Sequence, residues 1–145
     1  MKINYLKSYM LAFLLVSFPA IAPAQTKAPG AVKKAFEAKF ANATNVKWGK
    51  ENKNEYEADF TMDSKKYSAN FLTDGSWKET EAQISVGELP TAVTSTYKKS
   101  HSLSLIKMVA KIELASGKTK YEIEYKEKNK TKEVVYDENG NISKE

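Results

Sequence analysis

Apolar and polar residues alternate one by one along several short stretches of this chain. The first half has three such stretches, with their apolar residues at Val46 and Trp48, at Tyr56, Ala58 and Phe60, and at Tyr67, Ala69 and Phe71. The second half has three more, with Ile106, Met108, Ala110 and Ile112, with Tyr121, Ile123 and Tyr125, and with Val134 and Tyr136. A period of two places successive side chains on opposite faces of a strand. The pattern therefore predicts antiparallel strands, each with its apolar set on a buried face.

A second spacing, of three and four residues, precedes each set of predicted strands. Val32, Ala35, Phe36, Phe40 and Ala43 recur at this interval and would form one apolar stripe on a helix. In the second half the sequence TAVTSTYKKSH follows a proline, which is common at the first position of a helix. Its consecutive Thr, Ser and Thr residues are poor helix formers, so this second helix is predicted to depend on packing.

Gly-containing loops between the stretches indicate how the strands pair. Residues 73–75 read TDG, which suits a three-residue hairpin loop with Gly in the left-handed conformation. This loop would place Phe71 opposite Trp77 on the buried face. A similar Asn-Gly loop near the C-terminal end of the sequence would place Tyr136 opposite Ile142.

Two shorter turns raise a question about one strand pair. A two-residue Asp-Ser turn would place Ala58 opposite Ala69. The same register around residues 128–129 would set Glu124 beside Glu133. Like charges directly opposite one another on a sheet are unfavourable, so the pairing of these last two strands is left open.

The two halves of the chain align with each other. Tyr56 aligns with Tyr121 and Gly75 with Gly140, and the separation from Tyr to Gly is 19 residues in both halves. We therefore predict two tandem units at residues 25–87 and 88–145, each a helix followed by three or four strands (an α-β-β-β-β repeat). One unit alone would bury little, so the two are expected to form one compact domain. The predicted class is α+β, in two layers, with helices on one face of a continuous antiparallel sheet.

The first 24 residues have the organisation of a signal peptide. Lys2 and Lys7 precede an apolar run at residues 10–18, and Ala-Pro-Ala follows at residues 22–24. The run is shorter than the roughly 20 residues that span a bilayer. Cleavage is predicted after Ala24, which would give a periplasmic or secreted protein without a membrane anchor. The sequence has no Cys, so packing alone must hold the exported fold together.

The charge pattern argues against nucleic acid as a partner. All 23 basic residues are Lys, and removing Lys2 and Lys7 leaves 21 against 18 acidic residues, a net charge of +3. These lysines alternate with acids along the chain, whereas nucleic-acid binders cluster basic charge and use Arg on phosphates and guanine. No nucleic-acid partner is predicted.

The scarcity of His and Cys argues against most catalytic and metal chemistry. His101 is the only His, so Ser/His/Asp and Cys/His arrangements and zinc sites are not expected. It falls on the apolar stripe of the second helix and is expected to be packed there. Residues 137–141 resemble a calcium loop in composition but lack the twelve-residue pattern, and a hairpin turn is favoured. No catalytic residue, cofactor or metal ligand is predicted.

The strand alternation leaves a set of polar side chains on the face away from the core. This candidate partner-binding face comprises Glu57, Asp59, Ser68 and Asn70 in the first unit and Glu122, Glu124 and Val135 in the second. Two carboxylates spaced two residues apart on a strand have a separation compatible with a glycosidase acid pair. Catalytic acids usually lie in pockets that shift their pKa, whereas an open face would keep these groups solvated. A solvated surface is therefore favoured over an active site.

The order of motifs resembles that of a known family. It comprises V-x3-F-x3-F (Val32, Phe36, Phe40), V-x-W (Val46, Trp48), YEADF at residues 56–60, A-N-F-x-x-D-G-x-W at residues 69–77 and ELP at residues 88–90. This series resembles the PepSY-like family of beta-lactamase-inhibitor-like proteins over nearly the whole exported chain. The second half departs from it, with His101 in place of Phe and Ile142 in place of Trp. The resemblance implies a BLIP-like fold, similar to beta-lactamase inhibitory protein, and no catalytic residues.

The function predicted from these observations is that of an exported, non-enzymatic binding module. Its partner would be an unknown protein or peptide of the cell envelope, with a hydrolase as one candidate class because of the family name. The alternative is a protein that binds or senses a small ligand or a cation in the envelope through the acidic strand pairs.

Overall fold

A single seven-stranded antiparallel sheet with two α-helices forms the structure, a computed structural model that describes residues 27–143. Helix α1 is Gly30–Lys39 and α2 is Thr91–Lys98. The strands are β1 Thr44–Asn52, β2 Glu55–Met62, β3 Lys65–Leu72, β4 Trp77–Ile84, β5 Ile106–Leu114, β6 Thr119–Glu127 and β7 Lys130–Asp137. Short 3-10 turns at Val86–Glu88 and Leu103–Leu105 flank α2. The predicted α+β class is confirmed, and the predicted signal peptide lies outside the described residues.

The strands follow one another in the sheet in the order of the chain, from β1 at one edge to β7 at the other. Every neighbouring pair is therefore a hairpin, except that α2 lies between β4 and β5 in the sequence. Among residues 27–143 no helix combines the length and apolar character needed to cross a membrane.

Two-residue turns with left-handed backbone join β2 to β3 and β6 to β7. Asp63 and Ser64 have φ of 50° and 63°, and Lys128 and Asn129 have φ of 47° and 64°. Two successive residues with positive φ match the right-handed twist of a hairpin. The predicted pairing of Ala58 with Ala69 is confirmed.

The open question about the last strand pair is answered by the same turn geometry. Glu124 does lie opposite Glu133, because the turn at residues 128–129 sets the register in spite of the like charges. The repulsion shows in the pKa of Glu133, which is raised by burial and by the neighbouring Glu124.

Three-residue loops ending in glycine make the other tight connections. Gly75, Gly117 and Gly140 have φ of 92°, 78° and 78°, a region that residues with a Cβ rarely adopt. Two of them also lie close beneath a helix. A Cβ on Gly75 would stand 2.9 Å from the Ala31 carbonyl oxygen, and one on Gly140 only 2.5 Å from that of Ala92, whereas Gly117 faces open space.

The predicted pairings across these loops are confirmed. Phe71 pairs with Trp77, and Tyr136 forms an isolated bridge with Ile142. Trp77 is half-buried, but Ile142 is 63% exposed and adds little to the core.

Two hydrophobic clusters lie between the helices and one face of the sheet. The cluster beneath α1 contains Ala28, Val32, Phe36, Phe40, Ala58, Phe60, Ala69 and Phe71. The cluster beneath α2 contains Leu89, Val93, Tyr97, Val109, Tyr121, Ile123, Tyr125 and Tyr136. Both apolar helix stripes are thus buried, and aromatic edge-to-face contacts, such as Phe36 on Phe60 at 5.1 Å between ring centroids, fill the first cluster.

His101 lies at the edge of the cluster beneath α2. Helix α2 ends before it, so it lies in the following turn rather than on the helix stripe. Its ring stacks on Tyr97 with 5.0 Å between centroids and contacts Tyr125 at 4.5 Å. The expectation of a packed, half-buried His is confirmed.

The prediction of which β5 side chains face the core was wrong. Ile106, Met108, Ala110 and Ile112 were expected on one buried side, but the register shifts between Ile106 and Met108. This bulge turns the strand by one residue, so that Val109 enters the cluster beneath α2. Met108, Ala110 and Ile112 therefore point to the opposite side of the sheet.

Candidate partner-binding face

We use the term open face for the side of the sheet that points away from α1, α2 and their two hydrophobic clusters. Directly paired residues on neighbouring antiparallel strands point to the same side, so the strand registers assign each side chain to a face. All seven residues predicted for the partner-binding face lie on this side: Glu57, Asp59, Ser68, Asn70, Glu122, Glu124 and Val135.

Two rows of paired residues bring the predicted residues of the first half together. The Asp59 row crosses all strands and consists of Lys47, Asp59, Ser68, Glu81, Ile112, Lys120 and Asp137. The Glu57 row consists of Gly49, Glu57, Asn70, Glu79 and Leu114. The predicted residues of the second half lie in two shorter rows. One runs from β4 to β7 and consists of Gln83, Ala110, Glu122 and Val135. The other runs from β5 to β7 and consists of Met108, Glu124 and Glu133.

Sequence reasoning missed two carboxylates and an apolar strip. Glu79 and Glu81 on β4 stand between the predicted residues of the two halves. Their spacing of two residues equals that of Glu57 and Asp59, so the same alternation could have found them. The strip, made of Met108, Ala110, Ile112 and Leu114 on β5, could not be found because it depends on the bulge.

The centre of the open face is buried, contrary to the expectation of a solvated surface. Exposure is 3% for Ser68, 4% for Asn70, 7% for Glu81 and 4% for Glu122, while Asp59 remains exposed. No helix is needed to bury them. Ala110, a small residue that pairs with Glu122 on the same face, is itself only 4% exposed.

Burial of several carboxylates together raises their pKa values. Burial raises the pKa of Glu81 to about 8, with further contributions from the negative charges of Glu122 and Glu79. Burial likewise raises the pKa of Glu57 to about 7, and Asp59 adds to this, while a hydrogen bond from Ser68 opposes it. Carboxyls that hold protons near neutral pH are poised to change charge when their surroundings change.

Asn70 connects the strands within this acidic centre. Its Nδ2 donates a hydrogen bond to Oε1 of Glu79 at 3.2 Å. Its Oδ1 is buried and has no hydrogen-bond partner among residues 27–143. A buried acceptor without a donor is costly, so Oδ1 requires an explanation.

The acidic side chains of the open face do not gather as metal ligands do. Within residues 27–143 no group of three or more His, Cys, Asp or Glu side chains has the arrangement of a metal site. A shallow groove exists elsewhere, at the edge between α1 and β1, lined by Lys33, Phe36, Glu37, Phe40 and Trp48 among others. The carboxylates of the open face take no part in lining this groove.

Comparison with known proteins gives a family and a fold. The model of the family described as "Putative beta-lactamase-inhibitor-like, PepSY-like" matches residues 20–65 and 54–144. No curated protein matches significantly.

Several solved structures share the architecture. A "putative periplasmic" protein from Bacteroides eggerthii has a TM-score of 0.73 at 19% identity, covering 82% of this chain and 88% of that one. A DUF2874 family protein from Bacteroides ovatus has a TM-score of 0.70 at 20% identity, with 82% and 86% covered. A BLIP-like protein from Bacteroides fragilis has a TM-score of 0.66 at 22% identity, with 83% and 86% covered. At these identities the likeness shows the fold alone.

Proposed function

We propose, from the premise that this chain belongs to the PepSY-like, beta-lactamase-inhibitor-like family, that it is an exported, non-enzymatic protein that binds a protein or peptide of the cell envelope through its open face. A similar solved structure is described as periplasmic, which supports an envelope location. Cleavage of the signal peptide after Ala24 is part of the proposal, and N-terminal sequencing of the exported protein would then begin at Gln25.

The observation that carries the proposal is the burial of acidic and polar groups on a face that no helix covers. Glu81, Glu122 and Asn70 are each more than nine-tenths buried there, around an apolar strip. A merely solvated sheet face gains nothing from such groups, because removing carboxylates from water costs free energy. A partner that supplies complementary charge would recover that cost, so the arrangement is that of a binding surface.

The open face spans both halves of the chain. The Asp59 row runs without interruption from β1 to β7, across the boundary between the proposed units at residues 25–87 and 88–145. We therefore extend the proposal to two tandem units that present one joint surface. Inhibition of an extracytoplasmic hydrolase is one form such binding could take, as the name of the BLIP-like relative suggests.

Affinity capture with a charge-reversed open face tests the proposal. Glu57→Lys/Asp59→Lys reverses two carboxylates on β2, and the matched control Glu37→Lys/Glu113→Lys makes the same change of net charge at exposed positions away from the open face. Partners captured by the wild type and the control but lost from the open-face variant would support the proposal. Identical partners for all three proteins would refute it, provided that circular dichroism shows all three folded.

Binding of a cation is the second candidate, favoured by the unsatisfied Oδ1 of Asn70 in its acidic surroundings. It predicts that calcium raises the melting temperature of the wild type and does so less in Glu57→Gln. A melting temperature that does not respond to calcium would eliminate it.

A further inference from the structure

The Glu57 row has an excess of hydrogen-bond acceptors at its centre. Glu57 on β2, Asn70 on β3 and Glu79 on β4 are direct neighbours across three strands. Asn70 is 4% exposed. The Nδ2 atom of its amide donates a hydrogen bond to Glu79, on the β4 side. Because the amide is planar, Oδ1 turns to the other side, where Glu57 stands.

Oδ1 of Asn70 therefore points an acceptor toward a carboxylate. Two acceptors face each other favourably only when a donor lies between them; below pH 7 the proton that Glu57 holds serves as that donor, and above it a donor must come from elsewhere. Within the described residues the hydrogen bonds leave Oδ1 without one. Ser68, the hydroxyl nearest along β3, is already engaged with Glu57.

Nearby lysines do not fill this position. Lys78 forms an ion pair with Glu55, and the charge of Lys47 acts on Asp59 at the end of the neighbouring row. Lys50 lies over the ring of Tyr56, with 5.7 Å from Nζ to the ring centroid, on the helix side of the sheet. Once Glu57 has lost its proton, the site is thus anionic and accepting, with the nearby lysines held at its margin.

We propose that the open face binds its partner through a Lys or Arg side chain of that partner, which enters as the side chains of Glu57 and Glu79 move apart and donates to Oδ1 of Asn70, an atom that is buried until then. This inference rests on the proposed function and names the chemistry of the partner. A guanidinium carries five donors and an ammonium three, and neither has an acceptor, so both match the acceptors that Oδ1 of Asn70 and the ionised carboxylates of Glu57 and Glu79 present.

The spacing favours such a side chain over a metal ion. Glu57 and Glu79 are separated by two strand intervals, on the order of 10 Å between backbones. The carboxylates do not converge as metal ligands do. A guanidinium can bridge several acceptors at hydrogen-bond distance, whereas Ca²⁺ requires all its oxygens within about 2.6 Å.

Proton release should accompany binding. The pKa of Glu57 is about 7, raised by burial, then by Asp59 and Glu51, and further by Glu79. The groups that face it are Lys47 and Glu51 from β1, Glu55 and Asp59 from β2, Ser68 and Asn70 from β3, and Glu79 and Glu81 from β4. A bound cation favours the ionised carboxylate, so binding is expected to tighten as pH rises through 7.

The test is an NMR titration of the full exported chain with the peptide acetyl-Ala-Ala-Arg-Ala-Ala-amide. A second peptide replaces Arg by citrulline, which keeps the shape but removes the charge. We expect the Arg peptide to shift the side-chain amide signals of Asn70 in a saturable way, with at least tenfold weaker binding for citrulline. Because Arg does not titrate in this range, binding should be about tenfold tighter at pH 8 than at pH 6.

Variants decide whether the effect belongs to this site. Glu57→Gln should weaken binding of the Arg peptide at pH 8 at least fivefold and should flatten the pH dependence of that binding. Glu113 is an exposed carboxylate away from the open face, so Glu113→Gln should leave the affinity and its pH dependence unchanged. Equal affinity for both peptides, or an unaltered response in Glu57→Gln, would overturn the inference.

The experiments distinguish failure of Lys or Arg recognition at Asn70 from failure of the proposed function. If the peptides do not discriminate, yet the charge-reversed open face still loses captured partners, then the open face binds by other means. If capture is unaffected as well, both proposals fall.

Discussion

The two faces of the same sheet have opposite chemistry. The covered face packs Phe, Tyr, Val and Ile against the helices in two clusters, with Phe71, Val93 and Ile123 fully buried. The open face buries Glu81 and Glu122 instead, around a narrow apolar strip. Apolar burial stabilises the fold, whereas burial of carboxylates opposes it. The contrast indicates that the covered face holds the protein together, whereas the open face adds little to its stability; a role in binding is what we propose for the open face.

The largest expected effect comes from truncating the covered face. Phe71 has 0% exposure in the cluster beneath α1, so Phe71→Ala should lower the free energy of unfolding by about 4 kcal/mol. Leu114→Ala on the open face removes a half-buried side chain and should cost about 1 kcal/mol. Urea denaturation followed by circular dichroism measures both. Equal losses of unfolding free energy would mean that the two faces are packed alike and would contradict the difference between them.

Close packing of the helices on the covered face should give the next largest effect. Gly140 and Gly117 share a φ of 78°, but only Gly140 lies against a helix, where the Ala92 carbonyl occupies the space that a Cβ would need. Gly117→Ala should cost about 1 kcal/mol for the strained backbone alone. Gly140→Ala adds the collision with the Ala92 carbonyl and should cost about 3 kcal/mol. Thermal unfolding of both variants separates the two causes, and similar losses would show that α2 is not held tightly.

The open face should make stability fall as pH rises. The folded-state pKa values of about 7 for Glu57 and about 8 for Glu81 lie above the ordinary 4.5, so the folded protein binds more protons than the unfolded chain between these values. The free energy of unfolding should therefore be highest near pH 5 and decrease steadily toward pH 8. Urea midpoints across this range measure it.

A single variant assigns this pH dependence to the open face. Glu81→Gln removes the titrating group without changing its shape much, so it should stabilise the protein at pH 8 and have little effect at pH 5. The turn carboxylates Asp74 and Asp137 have lowered pKa values and titrate below this window. Stability that is flat or rising from pH 5 to 8 would contradict the raised pKa values.

The smallest effect is expected from the like-charge pair on β6 and β7. Glu133→Lys would turn the repulsion with Glu124 into an attraction and should stabilise by about 0.5 kcal/mol. The matched control Glu138→Lys makes the same change of net charge in the exposed loop after β7 and should have no measurable effect on stability. Melting temperatures at low salt compare the two, and an equal gain would point to net charge rather than to the pair.

Turn chemistry explains why much of the fold could be predicted from the sequence. Asp-Gly and Asn-Gly loops and two-residue turns fix the register, so the opposition of Phe71 and Trp77 and of Ala58 and Ala69 followed directly. The turn at residues 128–129 likewise places Glu124 opposite Glu133, because the free energy that the hairpin gains exceeds the repulsion of one like-charge pair.

The remaining features depend on contacts that local patterns do not encode. The bulge after Ile106 has no signature in the alternation, so it could not be predicted that Met108 and Ile112 would leave the core. Alternation did assign the predicted site residues to one face, but it is blind to how long side chains cover one another. The burial of Glu122 was therefore missed, and its role in binding stays a prediction.

Site-specific photo-crosslinking tests most directly the claim that the open face is the binding surface. A photo-reactive amino acid is placed at Asp59 or Gln83, both exposed on the open face, and at Glu37, exposed on α1. We expect the two open-face positions to crosslink the same envelope protein, and the α1 position to leave it uncaptured. Crosslinking of that protein from Glu37 alone, or equally from all three positions, would contradict the account.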